Sequence, residues 1–149
     1  LPSARGAPAK LLAKSRRTNA RTIKEQTMFD HVGIGVSSLE SSKAFYLRAL
    51  APLGITVAME GPDGVGLGRG QKPAFWLLPS AQKPAPLHLA FAADDRRQVD
   101  EFYRAAIAAA GQDNGPPGLR PHYHANYYAA FVIGPDGHNV EAVCHRPQA

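Results

Sequence analysis

Four of the chain's six histidines lie within residues 120–145, RPHYHANYYAAFVIGPDGHNVEAVCH, a stretch that also sets Glu141 inside an apolar, strand-like run. A carboxylate facing an apolar interior is costly unless it is paired or binds a cation. The nearest basic residues, Arg120 and Arg146, fall outside the run. A salt bridge is one answer; a metal ion, with ligands from elsewhere in the chain, is the other.

Those ligands can be sought in a repeat. Residues 30–54, DHVGIGVSSLESSKAFYLRALAPLG, match residues 87–111, LHLAFAADDRRQVDEFYRAAIAAAG, at a constant offset of 57 without a gap. His31 then corresponds to His88, Phe45 to Phe102, Tyr46 to Tyr103, Ala49 to Ala106 and Gly54 to Gly111. Two copies of one supersecondary unit are implied. In the first copy Phe29–Val36 reads as a strand, and Ser37 with Glu40 gives a capping box that opens a helix reaching about Ala51. Strands are predicted over 55–60, 64–69 and 74–78. In the second copy Asp94 is the predicted N-cap, and Val99, Phe102, Ala106, Ile107 and Ala110 give helical spacing before the Gly111 stop. Strands over 127–133 and 138–144 flank the turn GPDG, with a shorter one near 119–124. Each unit reads β-α-β-β-β and the fold class α+β, with mainly antiparallel sheets; modules at about 29–78 and 87–145 are joined by the linker 79–86.

Strand alternation places His31 on one face with Gly33 and Gly35, and His88 with Ala90 and Ala92, while the bulky residues point the other way. One such histidine is ordinarily a structural residue. Two at matching places, with an unexplained strand carboxylate, favour a metal site of His31, His88 and Glu141. Two imidazoles and a carboxylate form the facial triad of non-haem iron, and manganese or zinc also occupy such N/O sites. Three protein ligands leave positions open for substrate.

At these residues, FDHVGIGV, LHLAF and GPDGHNVEAV, the chain resembles the vicinal oxygen chelate superfamily, which includes glyoxalase I, fosfomycin-resistance enzymes, extradiol dioxygenases and bleomycin-resistance proteins. The resemblance covers residues 28–145. It implies paired modules forming a cupped sheet, a divalent metal (iron, manganese, zinc or nickel) on His31, His88 and Glu141, a small-molecule substrate chelated through neighbouring oxygens, and a homodimer with sites within or between chains. Aligning QKPAFWLL with DGHNVEAV sets Trp76 against Glu141, where glyoxalase I-like members have a fourth ligand. That departure argues against glyoxalase I itself and leaves Trp76 as a pocket wall or a core aromatic.

Beside the triad, His124, Tyr128 and His122 are the candidate catalytic residues, since imidazole titrates in a useful range and a tyrosine can hydrogen-bond substrate; Tyr127 lies in the same stretch. His138 is expected on the opposite face from Glu141 as a turn residue, His145 as support at the strand end, and Cys144 as a small buried hydrophobe. The expected activity is that of a metal-dependent lyase or isomerase, transferase or ring-cleaving dioxygenase. The alternative is a non-catalytic small-molecule binder.

Charge sorts the remaining classes. Of the formal +5, residues 1–27 carry +6 and residues 28–149 carry −1. A nucleic-acid partner would rest on that basic leader alone, without aromatic stacking residues, and is not expected. The leader has no apolar run able to enter a membrane. It reads as disordered or loosely helical: a transit peptide, a basic arm, or, the preferred reading, a non-native extension preceding Met28. The single cysteine excludes an internal disulfide and fits a reducing, cytoplasmic compartment.

Overall fold

Two serines stand side by side before the first helix, and they divide two tasks between them. In the computed structural model of the protein, which describes residues 28–148, the Ser38 side chain accepts from the Ser41 backbone N–H and caps helix α1 (Leu39–Leu50). Ser37, the expected cap, instead donates through its hydroxyl to the Asp136 carboxylate and takes a second bond to it from its own N–H at 3.1 Å. Helix α2 (Arg96–Ala108) is likewise capped one residue later than predicted, by Asp95, which accepts from the Gln98 N–H. In both helices the offset has one cause. The strand before each helix runs out through an extended residue, and the last extended residue is the one whose side-chain oxygen reaches the free N–H groups of the first turn.

The module pattern predicted from the repeat is present twice. Strands β1 (Val32–Val36), β2 (Thr56–Gly61), β3 (Gly64–Gly68) and β4 (Phe75–Pro79) form one sheet in the order β1-β4-β3-β2. Strands β5 (His88–Ala92), β6 (Gln112–Leu119), β7 (Tyr128–Ile133) and β8 (Asn139–Cys144) form the second in the matching order β5-β8-β7-β6. Each sheet is mixed: the first and last strands of a module pair in parallel and the other neighbours antiparallel. The register carries the repeat into space. Gly33 lies opposite Trp76, and Ala90 opposite Glu141, so Trp76 and Glu141 occupy equivalent places.

One strand departs from the sequence reading. β6 begins at Gln112 and passes through Gly115-Pro116-Pro117-Gly118, where only a short strand near 119–124 was predicted. The prolines lack the N–H that an interior strand needs, but β6 is an edge with a single neighbour, and its register shifts at Gly115. An edge strand with bulges has room for residues that a central one excludes.

The core lies where the helices pack on the sheets. Phe45, Tyr46, Ala49 and Leu50 of α1 and Val99, Phe102 and Ala106 of α2 join Ile34, Val36, Leu67, Leu77, Val132, Val140 and Ala142 in one buried cluster. The two helices also pack on each other. Gly111 is closely packed by both modules: a Cβ there would come within 2.4 Å of Val132 and 3.0 Å of the Phe45 ring. Arg69 ties the halves further, donating to the Leu53 carbonyl at 2.9 Å and the Ala92 carbonyl at 2.8 Å. With the bulky faces turned inward, the faces carrying Gly33, Trp76, Ala90 and Glu141 turn away from the core. Among the described residues no strand of one sheet pairs with a strand of the other, so one chain carries two half-cups. The expectations about residues 1–27 lie outside the described residues.

Candidate functional site

The open face of the second sheet gathers the polar residues. His88 opens β5, Glu141 is central in β8, and Tyr127 immediately precedes β7. The hairpin around GPDG pairs Phe131 with Glu141 and Ile133 with Asn139, which puts Tyr127, Phe131, Glu141 and His145 on one side. Glu141 is fully buried, whereas the His88 side chain is 57% exposed. His88 Nε2 and Glu141 Oε2 are 2.6 Å apart. The Tyr127 hydroxyl donates to Glu141 Oε1 at 2.5 Å. Burial and this hydrogen bond push the Tyr127 phenol up to about 12, so it holds its proton and remains a donor. His145 packs edge-on against Tyr127 with centroids 5.0 Å apart, and His124 lies 6.0 Å from His145.

The predicted site residues divide into three groups. His88 and Glu141 come together. His31 is elsewhere: its Nδ1 lies 3.0 Å from Asp30 Oδ1, and the Asp30 carboxylate also meets Lys72. Asp30 and Lys72 rim a groove of about 700 Å³ with Phe75 and Ala90–Ala92. Among the described residues no three His, Cys, Asp or Glu side chains converge within the chain. Of the catalytic candidates, His122 lines a cavity of about 390 Å³ with His88, Arg120, Tyr123 and Phe131. His124 is exposed, and its Nδ1 accepts from the Asn126 N–H at 3.2 Å.

Tyr128 is on the wrong side of the sheet for a substrate contact. Its hydroxyl donates to Asp100 of α2 at 2.7 Å, and Arg96 stacks over its ring at 5.1 Å. Adjacent strand residues face opposite ways, so the tyrosine that meets Glu141 is Tyr127. Counting back from the GPDG turn gives the same parity for Tyr127 and Glu141, a signal already present in the sequence. His138 is buried against the core side, as its parity implied; its Nδ1 accepts from the Leu87 N–H at 3.0 Å. Desolvation holds its pKa below the ordinary value of 6.5. Cys144 is buried and free. Trp76 is no core residue: it lies half-buried on the open face of the first sheet, its ring over Gly66, where a Cβ would come within 3.0 Å of it.

Sequence comparison assigns the chain. Residues 28–142 match the model of the Glyoxalase/Bleomycin resistance protein/Dioxygenase superfamily. The chain belongs to that superfamily. A glyoxalase/bleomycin resistance protein from Albidiferax ferrireducens T118 is 34% identical, with a TM-score of 0.68, over 81% of this chain and 100% of that one. A glyoxalase from Bacillus halodurans, so described provisionally, is 27% identical with a TM-score of 0.60, covering 79% of this chain and 96% of its own. Oxidase ChaP-H2 shares the fold at 17% identity and a TM-score of 0.59, over 83% and 97% of the two chains. No curated protein matches this chain. The resemblance drawn from FDHVGIGV, LHLAF and GPDGHNVEAV thus holds for the glyoxalase/bleomycin resistance/dioxygenase superfamily and its fold. Among the described residues no helix is long and apolar enough to cross a membrane.

Proposed function

We propose that the protein is a divalent-metal-dependent enzyme acting on a small oxygen-chelating substrate, with a site completed by two copies of the chain. The observation that carries this reading is Glu141, a fully buried carboxyl group met only by an imidazole and a phenol. No lysine or arginine of the described residues pairs with it. The donor set fits a metal ion. Nε2 and Oε2 lie 2.6 Å apart across a shared hydrogen, and a cation taking both atoms would displace that hydrogen. His88 and Glu141 would hold it from one chain. His31, 58% exposed at its side chain, would come from the other.

A second copy has apolar surface to cover. Leu78, beside Trp76 on the open face of the first sheet, is 38% exposed, and Met59 is 53% exposed. Two half-cups joined through a two-fold axis would bring the histidine of one module to the carboxylate of another chain. A divalent cation held there supplies polarisation of substrate oxygens. The chain's own residues set the geometry. Tyr127 fixes Glu141 by bonding Oε1, which leaves Oε2 turned toward His88. The loop 120–127, closed by the Arg120 N–H bond to the Tyr127 carbonyl at 2.7 Å, carries His122 to the cavity mouth, within reach of a bound substrate for proton transfer. Lyase or isomerase, transferase and ring-opening dioxygenase chemistries all fit such a site, and the fold does not select among them.

The test is metal binding by defined variants of the full chain. Wild type should bind Mn(II) or Zn(II) near one ion per chain, His31→Ala, His88→Ala and Glu141→Gln should each lose tight binding, and His138→Ala should keep it. Retention of tight binding by His88→Ala and Glu141→Gln would overturn this site, and a wild-type chain that takes up neither ion would leave a small-molecule binder without a metal.

A further inference from the structure

The run Gly115-Pro116-Pro117-Gly118 in β6 has no part in the metal reading, yet it builds a seat for a cation. The Arg120 guanidinium turns back over this run, with Nη2 donating to the Pro116 carbonyl at 2.7 Å and Nη1 to the Leu119 carbonyl at 3.3 Å. Its carbon stands 5.5 Å from the Phe131 ring centroid. The two glycines leave room for this placement, and a side chain at Gly118 would push the guanidinium aside. A Cβ on Gly118 would lie 2.9 Å from Nη1, and one on Gly115, whose φ is +147°, would lie 3.4 Å from Nη2 and 3.0 Å from Phe131. The guanidinium is thus held by backbone and an aromatic face, and no carboxylate of the described residues forms an ion pair with it.

The seat opens on the cavity that His88 lines. Its other walls are Asn114, Asn139, His122, Tyr123 and Phe131, with no Asp or Glu among them. Phe131 neighbours both: the His88 ring is 6.2 Å from its centroid, and Arg120 lies over its ring. A fixed cation facing a cavity with hydrogen-bonding amides and no counter-charge suits an oxyanion, since the planar fork pairs with two oxygens at once.

We propose that this cavity is an oxyanion subsite, in which Arg120 receives the carboxylate or phosphonate of a small acidic substrate whose other oxygens face His88. This rests on the metal reading for the position of those other oxygens. The subsite itself needs only Arg120 and its glycine seat.

The test is calorimetric titration of the full metal-free chain with malonate, phosphonoacetate and the neutral malonamide, alongside a separate Mn(II) titration. The two acids should bind and the diamide should not, and the tighter acid identifies the preferred oxyanion. Arg120→Gln should weaken acid binding roughly tenfold or more, the loss of a charge-assisted pair. Gly118→Ala should weaken it while retaining the charge, by displacing the guanidinium, which separates placement from net charge. Arg104→Gln, on the exposed side of α2, should leave it unchanged. Thermal melts identify any variant that fails to fold, and the Gly118 and Arg120→Lys variants then carry the comparison. Equal binding of malonate and malonamide, or wild-type acid binding by folded Arg120 and Gly118 variants, would overturn the subsite. Mn(II) binding that survives in Arg120→Gln leaves the metal reading standing whichever way the acids behave. Arg120-dependent acid binding by a protein that takes no Mn(II) would support the subsite and remove the metal.

Discussion

Both oxygens of the Glu141 carboxyl group are met, one by Tyr127 and one by His88, and each partner has a different weight. Tyr127 is a donor that burial keeps protonated, so removing its hydroxyl leaves Oε1 buried without a partner. Tyr127→Phe should cost ~1–3 kcal/mol of unfolding free energy, the penalty of an unsatisfied buried acceptor. Tyr128→Phe should cost less, because Asp100, at the half-exposed edge of α2, can turn to water. Urea unfolding of the two variants checks the difference. His138 sets a pH dependence of its own. Its folded pKa lies below 6.5 because burial disfavours the charged ring, so the unfolded chain binds more protons as pH falls below about 6.5. The stability that neutral His138 contributes is present above that pH and is lost progressively toward the folded pKa. Protonation would also take Nδ1 from the Leu87 N–H. Stability of the metal-free protein between pH 7.5 and 5 should therefore fall less steeply in His138→Gln than in wild type. Residue parity made His88, Glu141, His138 and Cys144 legible in the sequence. The two-residue period of a strand that turns Tyr127 toward Glu141 turns Tyr128, the expected catalytic tyrosine, toward Asp100 of α2.

At the scale of elements, the repeat pointed to two β-α-β-β-β modules, and the helix starts depended on local chemistry that it did not contain. Ser37 and Ser38 are equally good caps by residue type. The choice between them is made by Asp136, 99 residues away, whose own backbone is left-handed at φ 61° in the turn before β8. A long-range partner of that kind cannot be read from a local pattern. Ser38→Ala should therefore destabilise the fold by ~1 kcal/mol, as loss of an N-cap does. Glu40→Ala, aimed at the expected capping box, should change stability by less than that. Thermal unfolding of both variants checks the assignment. β6 was legible only at its end, since Pro-Pro ordinarily argues against a strand, and its place at a sheet edge is a property of the assembled sheet.

At the scale of the whole molecule, the equivalence of Gly33–Trp76 with Ala90–Glu141 shows that the first module repeats the strand pair that holds Glu141 but carries an indole in the carboxylate's place. Two half-cups per chain, a shared core between them and exposed apolar residues on the open faces favour assembly with a second copy. The distribution of ligands between chains could not be read from sequence, because an internal repeat predicts like units without saying which unit meets which. The most direct test of the central claim is to refold His31→Ala and His88→Ala together and measure bound Mn(II). Neither variant alone should bind it tightly. In a dimer-shared site, each mixed dimer has one site with both ligands intact and one with neither, so an equal mixture should recover about a quarter of the wild-type stoichiometry for random pairing of two chains. Recovery to that level, with a dimer seen by sedimentation, is the expected result; no recovery in a mixture shown to form mixed dimers would contradict a site built from two copies.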